Sequence, residues 1–99
     1  MNQMQQMLMR AQKMQRELEK QQAALAEKEF AASKAGMVDV VVLGNKTIKS
    51  IDIDKDALDP ENKEMLEESI MMALNEAMEA AHKEADEIQE KVTGQTQLF

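Results

Sequence analysis

The N-terminal part of the chain repeats apolar residues on a heptad within an otherwise polar segment. From Asn2 to Ala26 it has no Gly, Pro or β-branched residue, and strong helix formers dominate. The apolar positions form one narrow seam suited to packing against another helix: Met4, Met7, Ala11, Met14, Leu18 and Leu25, with the polar Gln21 in the same series. The pattern predicts a helical arm over residues 1–26. At about 1.5 Å per residue it is roughly 37 Å long, so part of it projects.

Residues 27–54 change to the pattern of short β-strands. "EFAAS" is a weak strand signal, "MVDVVVL" is the strongest in the chain, and "KTIKSIDID" is the third. "KAG" and "GN" supply the two turns. Ile51 and Ile53 alternate onto one face while Ile48 falls on the other, which predicts a bulge near Lys49-Ser50. We expect a three-stranded antiparallel β-meander.

A second long helical pattern follows the strands. Asp59 suits the N-cap and Pro60 the first helical position. Apolar residues recur every three or four positions: Leu66, Ile70, Ala73, Ala77, Ala81, Ala85, Ile88 and Val92. Gly94 is a suitable terminator. The pattern predicts a helix over residues 59–93 and a short loose tail over residues 94–99.

Together these elements predict an α+β fold in a single domain over residues 1–99. Only 2% of the residues are aromatic, Trp and Tyr are absent, and there are 10 methionines. A small chain with so few large core side chains depends on a partner to complete its core. We therefore expect a homodimer. The residues expected in packed contacts, within the chain or between protomers, are Met7, Met14, Leu18, Val40 and Val42.

The acidic stretch "SIDIDKDALDPENKEML" resembles a calcium loop only in part. Counted from Asp52, an EF-hand needs Gly at position 6 and Glu at position 12, where this chain has Ala57 and Lys63. A strand also precedes the stretch where a helix should stand. The structural interpretation is that Asp52 and Asp54 end the third strand, a short turn follows, and Asp59 caps the second helix. We expect no metal here.

Reactive chemistry is also missing from the rest of the sequence. There is no cysteine, and the single histidine, His82, lies on a helix without a second metal ligand. No nucleophile–base pair is visible, and nothing apolar encloses Asp54 or Asp56 as catalytic carboxylates require. We expect no enzyme activity, cofactor or small-molecule substrate. The polar N-terminus and the short apolar runs favour a cytoplasmic protein without a membrane segment.

The formal net charge of −7 is unevenly distributed. Residues 1–26 carry four bases and two acids, whereas residues 59–99 carry three bases and eleven acids. On a helical wheel, the four N-terminal bases share a face opposite the apolar seam, with Glu17 at its edge: Arg10, Lys13, Arg16 and Lys20. Such a face suits DNA phosphates, although solvated helix faces are often basic for solubility alone.

Three segments resemble the YbaB/EbfC family of bacterial nucleoid-associated DNA-binding proteins. They are "MQQMLMRAQKMQREL", "GMVDVVVLGN" and "IDIDKDALDPENKEMLEESIMMALNEAMEAA", and the resemblance covers residues 3–93. It implies a homodimer whose sheets pair the protomers and whose helices project like the arms of tweezers. It also implies duplex DNA binding with little sequence preference, which alters DNA conformation and gene expression in the nucleoid. The chain departs from the family in its acidic total, in lacking a Gly-rich leader, and in its short ending "GQTQLF".

For DNA contact, the second helix offers only Lys83 and Lys91, because its first half is acidic. No aromatic residue is placed to stack on bases, so we expect duplex binding through phosphates, with no visible sequence readout. The alternative function is a coiled-coil adaptor or prefoldin-like holdase without nucleic acid. A salt-sensitive mobility shift with duplex DNA separates the two.

Overall fold

A computed structural model describes the backbone of residues 2–96 and the side chains of residues 2–94. The elements, in chain order, are helix α1 (Gln3–Glu27), strands β1 (Glu29–Lys34), β2 (Val38–Leu43) and β3 (Ile48–Ile53), two 3₁₀ turns (Lys55–Ala57 and Pro60–Asn62) and helix α2 (Lys63–Thr96). This order confirms the predicted α+β fold of a long helix, a three-stranded antiparallel sheet and a second long helix.

The sheet has the strand order β1-β2-β3, and both pairs are antiparallel. The first turn places Ala35 and Gly36 at positive φ (57° and 64°), as a tight hairpin turn requires. In the second turn the Lys46 amide donates to the Leu43 carbonyl over 2.8 Å, with Gly44 and Asn45 between them. The two turns predicted from "KAG" and "GN" are therefore confirmed.

The predicted β-bulge is present in β3. Val41 pairs with Ser50 and Val42 with Ile48, which leaves Lys49 as the extra residue. A bulge of one residue moves the following side chains to the opposite face. It therefore brings Ile48 onto the same face as the other two isoleucines of β3.

Helix α2 packs on one face of the sheet, over β1 and β2. The side chains of Val40 and Val42 are fully buried there, against Ala73 and Ala77 of the helix. Alanine side chains end at Cβ, so the helix approaches the strand closely. Val40 and Val42, predicted in packed contacts within the chain or between protomers, pack within the single chain.

Helix α1 runs toward the sheet and α2 runs away from it, so the two pack antiparallel beyond the sheet. The β2–β3 turn holds the end of α1, because the Gly44 amide donates to the Lys28 carbonyl (2.9 Å) and the Asn45 amide to the Ala26 carbonyl (3.3 Å). Lys28 Nζ also pairs with Glu84 of α2 at 2.5 Å. The molecule measures 71 × 19 × 14 Å, so the helical arm projects as expected.

Both ends of α2 differ from the sequence prediction. The first turn after Asp59 is a 3₁₀ turn, and the α-helix proper begins at Lys63. Gly94 does not end the helix, which continues to Thr96. A helical glycine costs only about 1 kcal/mol relative to alanine, and Gly94 does not adopt the left-handed conformation of a helix terminator. The predicted loose tail is thus wrong for residues 94–96, and residues 97–99 lie outside the described part.

Candidate nucleic-acid interface

The apolar seam of α1 is covered along only part of its length. Leu25 is buried near the sheet, and Leu18 and Met14 are half-buried farther along the arm. Toward the N-terminus the same seam is exposed at Met7 and Met4. Exposure of the seam increases toward the N-terminus because the antiparallel α2 lies along only the C-terminal part of α1. We name the N-terminal turns of α1, where Met4, Met7 and Leu8 are exposed, the bare arm tip.

All four predicted DNA-contacting bases of α1 have exposed side chains: Arg10, Lys13, Arg16 and Lys20. At about 100° per residue they occupy the side of the helix away from the seam that packs on α2. Arg16 Nε donates to the Gln12 carbonyl at 3.4 Å, which holds that guanidinium along the helix surface. We name this set of four side chains the basic face.

The acidic residues of α1 follow Arg10, Lys13 and Arg16 in the chain. The first acid in the chain is Glu17 at the edge of the basic face, and its Oε1 accepts from Gln21 Nε2 at 2.9 Å. Glu19 accepts from Gln15 at 3.4 Å. Arg10 therefore has no acid one helical turn away along α1, whereas Lys13 has Glu17.

The two lysines predicted on α2 have exposed side chains. Lys83 lies one helical turn from Glu79, and Lys91 one turn from Glu87. Residues four apart on a helix are neighbours, so each ammonium group is beside a carboxylate. We therefore expect both lysines to bind phosphate more weakly than Lys13 and Arg16, which each have two bases one turn away.

The carboxylates of the acidic stretch accept hydrogen bonds within the turns between β3 and α2. Asp54 Oδ1 accepts from the Asp56 amide (3.1 Å), and Asp59 Oδ1 accepts from the Glu61 amide (3.0 Å). The predicted capping role of Asp59 is confirmed, although it caps the 3₁₀ turn before α2. Within residues 2–96, no three His, Cys, Asp or Glu side chains are arranged to hold a metal ion.

One apolar surface was missed in the sequence. Ile48 and Ile51 point to the same side of the sheet as α2, yet they are 45% and 42% exposed. The ion pair between Lys34 and Glu76 (2.6 Å) shows that α2 leans toward the β1 edge, which leaves β3 uncovered. The signal was available, because the mostly alanine stripe of α2 is too narrow to cover three strands. We name these two isoleucines the β3 patch.

Neither described helix carries an apolar stretch long enough to cross a bilayer.

The comparisons with known proteins agree with one another. Residues 1–96 match the sequence model of the YbaB/EbfC DNA-binding family. A nucleoid-associated protein of Alkaliphilus metalliredigens is 47% identical over 89 residues, covering 89% of this chain and 78% of the relative. One of Metamycoplasma arthritidis is 39% identical over 85 residues, covering 86% and 88%. The crystal structure of an uncharacterized protein from Helicobacter pylori has the same fold, with a TM-score of 0.77 and 22% identity over 94% of this chain and 98% of that one.

Proposed function

Because the chain belongs to the YbaB/EbfC DNA-binding family, we propose that it acts as a homodimer that holds duplex DNA by its phosphates. The family is a DNA-binding family and not an enzyme family. The observation that carries the proposal is the basic face, since four exposed cations lie on the outer side of an arm whose inner side packs on α2. Lys/Arg contacts to phosphate supply most of the affinity of binding that does not depend on sequence.

The homodimer is supported by the β3 patch and by the thin core. The largest fully buried side chains of the described chain are valines, which is little for a stable domain of this size. A second copy that covers Ile48 and Ile51 adds apolar burial at about 25 cal/mol per Å². The same contact leaves the α1 arms outside the interface. The two α1 arms of such a dimer then reach one duplex from the same dimer core.

Two α1 arms fixed to one dimer core constrain the DNA between them. The duplex either fits the spacing of the arms or bends to reach both, and bending a short site costs a few kcal/mol that the added phosphate contacts repay. The relatives are named nucleoid-associated proteins, and we place this chain at the nucleoid as well. There it alters the conformation of DNA and thereby the expression of genes nearby.

The bare arm tip favours a second candidate function. Met4, Met7 and Leu8 are exposed and apolar, as the client-binding ends of a prefoldin-like holdase or a coiled-coil adaptor are. In that function the arms bind unfolded protein or a partner helix, and DNA does not compete.

Gel shifts on several unrelated duplexes test the proposal. The protein should bind all of them with similar affinity, and the triple variant Arg10→Glu, Lys13→Glu, Arg16→Glu should lose binding while circular dichroism stays unchanged. A matched control places the same charge change elsewhere, at exposed lysines outside the arm: Lys46→Glu, Lys55→Glu, Lys63→Glu. The control should retain most of the affinity, because its lysines do not face the phosphates.

The outcomes separate the two functions. Equal loss in both triple variants would mean that net charge rather than the basic face governs binding. Absence of binding by the unaltered protein at low salt would overturn the proposal. In that case, protection of an unfolded protein from aggregation, lost in a Met4→Gln, Met7→Gln variant, would establish the holdase function.

A further inference from the structure

Met9 is an apolar residue that lies among the four charged side chains of the basic face. It lies at about 100° from Arg10 on the wheel, between the directions of Lys13 and Arg16, and it is 52% exposed. Its neighbours one turn away on either side are glutamines and Lys13. An exposed methionine among cations is not part of the seam that packs on α2. It lies on the side of the arm that meets DNA under the proposed function.

The width of an α-helix decides which groove the arm can enter. With side chains, a helix is about 10–12 Å across. The major groove of B-DNA is about 12 Å wide and the minor groove about 6 Å. The arm therefore fits only the major groove. Its flanking cations then reach the phosphates on the groove walls, and the centre of the basic face points at the base edges.

Methionine limits what the centre of this face can recognise. Its thioether donates no hydrogen bond and accepts only weakly, so Met9 cannot pair with the polar edges of bases. The one apolar group that bases present in the major groove is the C5-methyl of thymine. Gln6, exposed beside Met9, has an amide of the kind that pairs with adenine N6 and N7.

We propose that Met9 contacts thymine methyl groups on the floor of the major groove and gives the protein a preference for T·A base pairs. The inference rests on the proposed function and deepens it, since it adds a base contact to binding that otherwise depends on phosphates. One buried methyl group changes affinity by about fourfold. The preference is therefore modest, and the protein still binds unrelated duplexes.

Duplexes that differ only in the C5-methyl group test this contact. In the first duplex every thymine is replaced by uracil, which removes the methyl and keeps the base pairing. In a second, G·C-rich duplex, cytosine is replaced by 5-methylcytosine, which adds a methyl at the same place in the groove. Affinities are measured by fluorescence anisotropy for the unaltered protein, for Met9→Ala, and for the control Met4→Ala. Met4 is the same residue type, is 78% exposed, and lies roughly 140° away around α1.

The unaltered protein and Met4→Ala should lose about fourfold in affinity on the uracil duplex for one contacted methyl, and more if both arms engage. Both should gain on the 5-methylcytosine duplex. Met9→Ala should bind each pair of duplexes equally, with an unchanged dependence on salt. Equal methyl sensitivity in Met9→Ala and the unaltered protein would overturn the inference and leave the proposed function standing. Absence of binding to any duplex would overturn both.

Discussion

The backbone of Gly44 lies against the end of α1 so closely that a β-carbon at Gly44 would stand 1.8 Å from the Leu25 carbonyl oxygen. No side chain fits there. The contact joins the β2–β3 turn to the helix that carries the basic face, and the hydrogen bond from Gly44 to the Lys28 carbonyl lies beside it. The direction of the arm relative to the sheet is therefore set at this glycine.

Gly44→Ala should destabilise the protein by about 2 kcal/mol or more, because the clash is with backbone rather than with a flexible side chain. Thermal unfolding followed by circular dichroism measures the change. Gly94→Ala is the matched control, since a β-carbon there meets nothing within 4 Å. It should stabilise α2 by up to about 1 kcal/mol. Equal melting temperatures for the two variants would contradict the close contact at Leu25.

The salt dependence of DNA binding should count the contacts of the basic face. Two protomers offer up to eight cations, and each contact adds about 0.9 to the slope of log affinity against log salt, so the slope is at most about 7. The acidic α2 repels the same phosphates, and we expect a slope of about 3 to 5. Lys20→Gln should lower the slope by no more than about 2. A slope near zero would rule out phosphate contacts as the source of affinity.

The lysines of α2 should matter less than those of α1. Replacing Lys83 and Lys91 by Gln should weaken binding by a few-fold at most, whereas replacing Lys13 and Arg16 by Gln should weaken it by about tenfold or more. The difference arises because the charged neighbours of each α2 lysine one turn away are all acidic, whereas Lys13 and Arg16 each have two bases one turn away. Both double variants lose two positive charges, so the pair is its own control for charge. A larger loss of DNA affinity in the Lys83 and Lys91 variant would show that α2, rather than α1, makes the main phosphate contacts.

The sequence predicted the elements and even the bulge at Lys49, because these depend on local alternation. It failed at Gly94, since a glycine ends a helix only when the following chain turns away. The narrow alanine stripe of α2 indicated that one strand stays uncovered, but the sequence could not show that this strand is β3 with Ile51, or that Met7 lies beyond the reach of α2. Alternation and heptads identify which face of an element is apolar. What covers that face depends on the lengths and lean of elements far apart in the chain.

Calcium or magnesium should leave the melting temperature unchanged. Asp54 and Asp59 already accept hydrogen bonds from the amides of their own turns, and Ala57 is buried at the position where a calcium loop needs glycine. Asp54→Asn is a suitable variant, because asparagine caps turns about as well as aspartate. A calcium-dependent rise of many degrees that this variant abolishes would show that the stretch is a binding loop.

The dimer should depend on the β3 patch. Ile51→Asp places a charge in the surface that we propose the partner covers, which should weaken association by about 2 kcal/mol or more, or roughly thirtyfold. Ser50→Asp is the matched control, since Ser50 is exposed on the opposite face of the same strand. Sedimentation equilibrium at micromolar protein should find dimer for the unaltered chain and Ser50→Asp, and monomer for Ile51→Asp.

The same pair of variants links assembly to DNA binding. A monomer keeps four cations of the basic face but loses the second arm, so its salt slope should fall to about half that of the dimer. Ile51→Asp should therefore bind more weakly than Ser50→Asp although both add one negative charge per chain. If Ile51→Asp remains a dimer, the partner covers another surface. If it is a monomer that binds DNA with an undiminished slope, a single arm carries the whole interface.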